Sequence, residues 1–116
     1  MDSVAFAVPL LAGQTDAERV ALESCWLGPR REAFQDARRR AGITREAVWI
    51  QATPTGDVAV VYLEADDLTA ALGLLGTSAE PFDRWFRGHA RQVHGVAWGH
   101  QLLDVELVLD FDIDRT

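Results

Sequence analysis

Apolar positions along the chain fall into short runs and helical repeats that alternate from one end to the other. Apolar runs that suit strands of four to ten residues lie at four places. These are Val4–Leu11, Glu46–Thr53, Asp57–Glu64 and Leu102–Phe111. Helical spacing of apolar residues fills the stretches between the first and second runs and between the third and fourth. The pattern therefore predicts the order strand, helix, strand, strand, helix, strand.

Capping and turn residues mark where these elements begin and end. Thr15–Glu18 has the form of a capping box that starts a helix through Leu27. Gly28-Pro29 interrupts this helix, and Gly42 ends its second half. The turn Pro54–Asp57 joins the second and third strands into a hairpin.

Similar signals mark the ends of the later helices. Asp66 or Asp67 caps a helix that continues through Leu75, and Pro81 lies in the first turn of another helix. Gly95 ends that helix. The element order is the ferredoxin-like βαββαβ pattern of an α+β protein, and it fills one domain, residues 1–116.

The second and third strands are apolar on both faces, so something must cover each face. The helices cover one face, and the other needs a second copy of the chain, a ligand cavity or both. A homodimer and a hydrophobic small molecule are therefore the expected partners. In the last run, apolar residues from Leu103 to Phe111 alternate with acids, which predicts a half-exposed edge strand.

Composition excludes several kinds of function. The net charge is −7 and the pI about 4.8, which argues against nucleic-acid binding. The basic run Arg38–Arg40 is expected to complement the end of a helix, with Asp36 and Arg40 paired. No apolar run approaches a membrane span, so we expect a cytoplasmic protein. The chain has no Lys, which excludes lysine Schiff-base chemistry, and the single Cys25 excludes an internal disulfide.

Two histidines are the first candidates for chemistry. His89 lies in the apolar stripe of the last helix, beside Trp85 and Phe86. A partly buried imidazole there is either a general base or a core His bonded to one carbonyl. His94 lies at the end of the same helix, where it complements the helix dipole or borders a cavity. With His100 the spacing matches no common zinc template, so no metal site is expected.

The remaining candidates could bind a substrate. Tyr62 and Glu64 share a strand face, and Gln51 and Trp49 lie on the neighbouring strand, so these residues could form a polar spot in an apolar cavity. Trp85 and Phe86 add aromatic walls or core. Arg30 and Arg31 at a helix restart either clamp an anionic group or pair with nearby acids such as Glu32.

With the hairpin and the helices placed, the chain resembles the dimeric α+β barrel superfamily. That group includes antibiotic-biosynthesis monooxygenases, stress-responsive barrel proteins and polyketide cyclases of the olivetolic-acid-cyclase type. Several stretches also resemble an uncharacterised bacterial family of this fold. They are Gly28–Arg31, Gly42–Trp49, Thr53–Asp57, Tyr62–Asp67 and Pro81–Phe86.

The resemblance implies two sheets packed face to face across a two-fold axis. Related cyclases use a Tyr–His pair, a role open to Tyr62 with His94 or His89. Related oxygenases tend to use Asn, Trp and Arg, and this chain has no Asn. Haem-degrading members need an axial His, and His89 stays a candidate for that role; otherwise no cofactor is expected.

These observations predict an enzyme that acts on a hydrophobic aromatic or polyketide-like metabolite by His-mediated proton transfer, as a cyclase or isomerase. The alternatives are a cofactor-independent monooxygenase and a non-catalytic ligand-binding dimer of the stress-response kind.

Overall fold

In the computed structural model, the described residues form an α+β fold of four α-helices and a three-stranded antiparallel sheet. The structure describes residues 1–96 and 100–115, apart from the side chains of residues 100 and 101. The elements are β1 (Asp2–Pro9), α1 (Thr15–Trp26), α2 (Arg31–Ala41), β2 (Ile43–Thr53), β3 (Gly56–Ala65), α3 (Leu68–Thr77) and α4 (Pro81–His94), followed by short 3-10 helices at His100–Leu103 and Ile113–Arg115. Trp98 lies outside the described residues, as does the side chain of His100.

The sheet has the order β1-β3-β2, so the hairpin strand β3 is central. Val61 pairs with both Phe6 and Val48, and this row faces the helices. Tyr62 pairs with Ala5 and Ala47 on the opposite face. Successive side chains of a strand point to opposite faces, so β3 presents apolar residues on both sides. The antiparallel hairpin is confirmed.

The predicted helix ends are largely confirmed. Gly42 and Gly95 end α2 and α4 in the left-handed conformation that favours glycine. The Asp67 side chain caps α3 by accepting a hydrogen bond from the Ala70 amide. At Gly28, an added Cβ would come within 2.9 Å of the Ser24 Cα, so the junction of α1 and α2 has no room for a side chain.

The predicted capping box at Thr15–Glu18 is wrong. Thr15 donates its hydroxyl hydrogen bond to Asp57 at 2.7 Å, and Gln14 occupies the N-cap position without a side-chain cap. The Glu18 side chain turns into the protein instead. The contact between Thr15 and Asp57 anchors the start of α1 to the hairpin.

The predicted fourth strand does not form within the described residues. Residues 104–111 carry no regular secondary structure and pair with no strand of their own sheet. Their large apolar side chains are exposed, Leu107 by 78% and Leu109 by 80%. The complete ferredoxin-like pattern is therefore absent from the described residues, in which β3 is the strand that pairs with β1.

Two ion pairs fix α2 against the rest of the protein. Arg38 and Glu46 are both buried, and the Arg38 Nε donates to Glu46 Oε1 at 2.6 Å. Arg40 pairs with the buried Asp83 on α4 at 2.9 Å. The predicted pairing of Arg40 with Asp36 is therefore wrong: Arg40 reaches across to the neighbouring helix instead.

Among the described residues, no helix is both long and apolar enough to cross a membrane.

Candidate active site

A buried carboxylate lies between two imidazoles where α1 meets α4. Glu18 Oε1 is 2.7 Å from His89 Nε2, and Glu18 Oε2 is 2.9 Å from His94 Nε2. The three side chains are 4%, 8% and 11% exposed, in that order. Each carboxylate oxygen therefore has its own imidazole partner, shielded from bulk water.

A backbone hydrogen bond joins β1 to α4 beside this cluster. The Leu11 amide, just after β1, donates to the Val93 carbonyl at 2.7 Å, which ties the end of β1 to the end of α4. His89 and His94 are five residues apart, or about 140° around a helix, so they approach Glu18 from different directions. The contact between the end of β1 and the end of α4 thus helps to position the two histidines around Glu18.

Hydrogen-bond partners define the protonation of His94. Its Nδ1 lies 2.9 Å from the Pro9 carbonyl oxygen, and its Nε2 faces the Glu18 carboxylate. Both partners are acceptors, so both ring nitrogens must carry a hydrogen. His94 is therefore an imidazolium beside an ionised Glu18, at a helix end where a cation is favoured.

His89 differs from His94 because only one of its nitrogens is engaged by a described residue. Nε2 donates to Glu18, and a neutral imidazole with this tautomer has a lone pair on Nδ1. The ring stacks on Trp85 with centroids 5.8 Å apart and an angle of 14°, and Arg30 lies over the Trp85 ring at 4.0 Å. Glu18 orients His89 much as a carboxylate orients the base of a catalytic dyad.

The directions of the pKa shifts agree with an ionised Glu18 beside a protonated His94. Burial raises the pKa of Glu18, but hydrogen bonds from His89 and His94 and their charges outweigh it, and the pKa falls to about 2. Burial lowers the pKa of His94, but the Glu18 hydrogen bond, the Pro9 carbonyl and the Glu18 charge together raise it above its usual 6.5.

We expect the pH dependence of stability to peak between the two ordinary pKa values, about 4.5 and 6.5. The lowered pKa of Glu18 stabilises the fold above pH 4.5, and this contribution is lost as the pH falls toward about 2. The raised pKa of His94 stabilises the fold below pH 6.5, and this contribution is lost as the pH rises through the folded-state value.

Urea unfolding between pH 3 and 9 measures this profile. Glu18→Gln should flatten it on both sides, because the variant removes the titrating carboxylate and the partner that raises the pKa of His94. A wild-type profile that keeps rising from pH 6 to 9 would contradict the assignment.

A small apolar cavity adjoins the cluster, lined by Glu18, His89 and His94 together with side chains from the sheet. Its volume is about 50 Å³, inside a recess of about 510 Å³ that includes the solvent at its mouth. Apolar walls come from Phe6, Val8, Val48, Val61 and Phe86. Because a cavity of about 150 Å³ holds a benzene ring, this one accepts only a small group.

The predicted polar spot lies on the other face of the sheet. Tyr62 donates to Glu64 at 2.6 Å there, and Trp49 and Gln51 share the face through pairing with Val60 and Val58. The structure therefore does not bring Tyr62 together with His89 and His94, since the helix-facing row of β3 has the opposite parity.

The two predicted arginines also lie away from the cavity. Arg30 stacks on Trp85 and donates to the Ser24 hydroxyl, and Arg31 is exposed at the start of α2. Trp85 and Phe86 both contact the His89 ring, and Phe86 lines the cavity itself.

Glu18 is the site residue that the sequence prediction missed. The spacing of Glu18 from Thr15 matched a capping box, which explained its presence without a buried partner. Glu18 also falls on the buried face of α1 with Ala21 and Cys25. A charged residue on an apolar helix face needs a partner. That signal, combined with a histidine on the apolar stripe of α4, could have predicted the pair.

The described residues contain no group of three or more potential metal ligands. The cavity of about 50 Å³ is much smaller than a haem. The Nε2 atoms of both histidines are hydrogen-bonded to Glu18. Imidazole and carboxylate groups hydrogen-bonded in this way are typical of sites that transfer protons.

No protein-family model matches the chain, and the search of curated proteins found no significant match.

Proposed function

We propose that the protein is a homodimeric enzyme that moves a proton on a hydrophobic carbonyl compound, with His89 as the base. The observation that carries this proposal is the buried Glu18 held between two imidazoles at the wall of an apolar cavity. Buried, hydrogen-bonded titratable groups in a cleft are typical of sites for acid–base catalysis.

The proposed step is keto–enol tautomerisation. The Nδ1 lone pair of His89 takes a proton from the carbon beside the substrate carbonyl. The C–H electrons form the C=C double bond, and the C=O π electrons move to the oxygen, which becomes an enolate. Glu18 stabilises the imidazolium that results. His89 then returns the proton to the substrate oxygen, which leaves His89 neutral and the substrate as its enol.

The cavity favours isomerisation over acyl transfer. Its polar lining residues within the described part of the chain are Glu18, Glu46, His89 and His94. The described lining contains no Ser, Thr or Cys that could serve as the nucleophile of acyl transfer. Proton transfer needs a base and no such nucleophile.

Cavity size limits which part of a substrate reacts. A group that fits about 50 Å³ is a short acyl end, so the bulk of an aromatic or polyketide-like molecule would occupy the mouth of the recess. The same small volume also favours a second candidate, a non-catalytic binder of small hydrophobic molecules.

The homodimer is inferred from the face of the sheet that the helices leave uncovered. This face carries Val58, Val60 and Tyr62 from β3 and Trp49 from β2, and Trp49 is 56% exposed. An apolar sheet face of this kind usually marks an interface.

Exchange of deuterium into phenylacetone in D2O tests the chemistry without knowledge of the natural product. We expect the wild-type protein to accelerate exchange beside the carbonyl, as followed by proton NMR near pH 6. His89→Ala should lower the enzymatic rate about 10²- to 10⁴-fold because the general base is lost. The exposed Glu23→Gln on the same helix as Glu18 is the matched control.

Tyr62→Phe separates this proposal from the Tyr–His mechanism that the family resemblance implies. The geometry predicts an unchanged rate, since Tyr62 lies on the other sheet face. Equal rates for wild-type protein and His89→Ala would contradict the role of His89, and saturable binding without exchange would favour the non-catalytic binder.

A further inference from the structure

A groove with three arginines runs along one face of α4. This groove, called here the arginine groove, has a volume of about 550 Å³ and is lined by Pro81, Arg84, Trp85, Arg87, Gly88 and Arg91. Residues three, four and seven positions apart lie on one side of a helix, so the three arginines and the glycine face the same way. The apolar cavity beside Glu18 shares no lining residue with this groove.

Two of these arginines lack partners in the part of the chain that the structure describes. The exposed arginines Arg19, Arg39 and Arg115 each pair with an aspartate three residues away. The guanidinium groups of Arg84 and Arg91, by contrast, form no hydrogen bond or ion pair with a described residue. The groove is therefore positively charged in a chain whose net charge is −7.

The acids at the start of α4 act on Arg40, outside the groove. Asp83 is buried and pairs with Arg40 at 2.9 Å, and the charge of Glu80, the N-cap residue, also acts on Arg40. Arg30 adds a further cation beside the groove, since its guanidinium lies over the Trp85 ring at 4.0 Å. The positive charge of the groove is thus reinforced by its surroundings.

Neutral groups hold Arg87 in place at the middle of the groove. Its guanidinium donates to the carbonyl oxygens of Leu75 at 2.8 Å and Ser78 at 2.7 Å. A guanidinium has five N–H donors, so these two bonds leave three others. The carbonyls fix the side chain without cancelling its charge, and a cation fixed in advance binds an anion at a lower cost in entropy.

Gly88 gives the groove an open floor. A Cβ added at Gly88 would meet nothing within 4 Å, so crowding does not explain the glycine. A glycine inside a helix destabilises it by about 1 kcal/mol relative to alanine. One use of glycine that offsets this cost is the close approach of a ligand to the backbone.

We infer that the arginine groove binds a small anion with two linked phosphate groups. Guanidinium groups match phosphate oxygens with pairs of parallel hydrogen bonds. Arg84 and Arg91 are seven residues apart, or about 10 Å along the helix, so two linked phosphates suit the groove better than one. The anion would also relieve the repulsion of Arg87 by Arg84 and Arg91, three and four residues away. This inference is independent of the chemistry proposed for His89.

Isothermal titration calorimetry with inorganic pyrophosphate, in about 20 mM salt to limit screening, tests the site. We expect the wild-type protein to bind one pyrophosphate per chain. Arg84→Gln with Arg91→Gln should raise the Kd about 100-fold, because each substitution removes a charged hydrogen bond. Arg19→Gln with Arg39→Gln changes the net charge equally and should leave the Kd within about 3-fold of wild type.

Gly88→Ala separates ligand binding from stability. We expect a higher urea midpoint, because alanine favours a helix interior, but about 10-fold weaker pyrophosphate binding, because the methyl group keeps the anion from the backbone. Gly73→Ala in α3 is the matched control, since a Cβ there also meets nothing within 4 Å. It should raise the midpoint and leave binding unchanged.

The location and the identity of the ligand are tested separately. In ¹⁵N-labelled wild-type protein, pyrophosphate should shift the amide signal of Gly88, and orthophosphate should bind about 10-fold more weakly. The inference would be overturned by a wild-type protein that binds no pyrophosphate, by equal losses in the two double variants, or by a Gly88→Ala variant that binds like wild type. Orthophosphate binding as tightly as pyrophosphate would overturn the two-phosphate ligand. Tighter binding of a single-stranded oligonucleotide of about 20 nucleotides would indicate a nucleic-acid site instead.

Discussion

Replacing Glu46 by Ala should lower the free energy of unfolding by about 3–5 kcal/mol, because it leaves a buried cation without its carboxylate. The Arg38 and Glu46 side chains are 6% and 8% exposed, and the guanidinium donates to both carboxylate oxygens. The Phe34 and Phe86 rings each lie 4.6 Å from the guanidinium carbon. Water therefore cannot easily replace the lost carboxylate.

The exposed pair of Arg39 with Asp36 on the same helix provides the matched control. Their side chains are 72% and 61% exposed, so Asp36→Ala should change stability by less than about 1 kcal/mol. The double variant Arg38→Met with Glu46→Leu removes both charges and should cost much less than Glu46→Ala. Urea unfolding measures all three; a cost below about 1 kcal/mol for Glu46→Ala would contradict the buried-charge account.

Replacing Glu18 by Ala should lower the free energy of unfolding by about 3–5 kcal/mol near pH 6. The change removes the acceptor of two buried imidazole N–H groups and the negative charge beside the His94 imidazolium. Glu18→Gln keeps the shape but offers one acceptor oxygen where two are needed, so we expect a cost of about 1–3 kcal/mol.

We expect the same substitutions to lower the rate of phenylacetone exchange by more than the loss of folded protein explains. Glu18→Gln should reduce phenylacetone exchange even under conditions where the variant is fully folded, since Glu18 fixes the tautomer of His89. Glu23→Gln, exposed on the same helix, should match wild type in both assays. A folded Glu18→Gln variant with full exchange activity would show that Glu18 has a purely structural role.

Local signals in the sequence account for the part of the fold that could be predicted. Gly42, Asp67 and Gly95 act on residues close to them in the chain, so their roles as helix caps follow from pattern alone. The hairpin turn before Gly56 is equally local. These features place α2, α3, α4 and the β2–β3 hairpin without knowledge of tertiary contacts.

The candidate site depends on contacts that no local pattern encodes. Glu18 lies 71 residues from His89 and 76 from His94 in the chain. Its spacing from Thr15 matched a helix cap, and only the packing of α1 on α4 reveals its actual partners. The sequence singled out His89 because an imidazole on an apolar stripe is unusual, and His94 because it lies at the end of the same helix.

Tyr62 and residues 104–111 differ from prediction for related reasons. Alternation along a strand shows which residues share a face but not which face the helices cover, so Tyr62 could be assigned to either. Alternation from Leu103 to Phe111 likewise predicts a strand without specifying which sheet accepts it. The missing information in both cases is tertiary.

The charge state of the two histidines is the central claim, and long-range ¹H–¹⁵N NMR of the imidazole nitrogens at pH 6 measures it most directly. The geometry predicts that His94 has both nitrogens protonated and that His89 carries a hydrogen on Nε2, the nitrogen that faces Glu18. His94→Gln and His89→Gln assign the two sets of signals. A neutral His94, or a His89 whose hydrogen is on Nδ1, would contradict the account of the site and the role of His89 as the base.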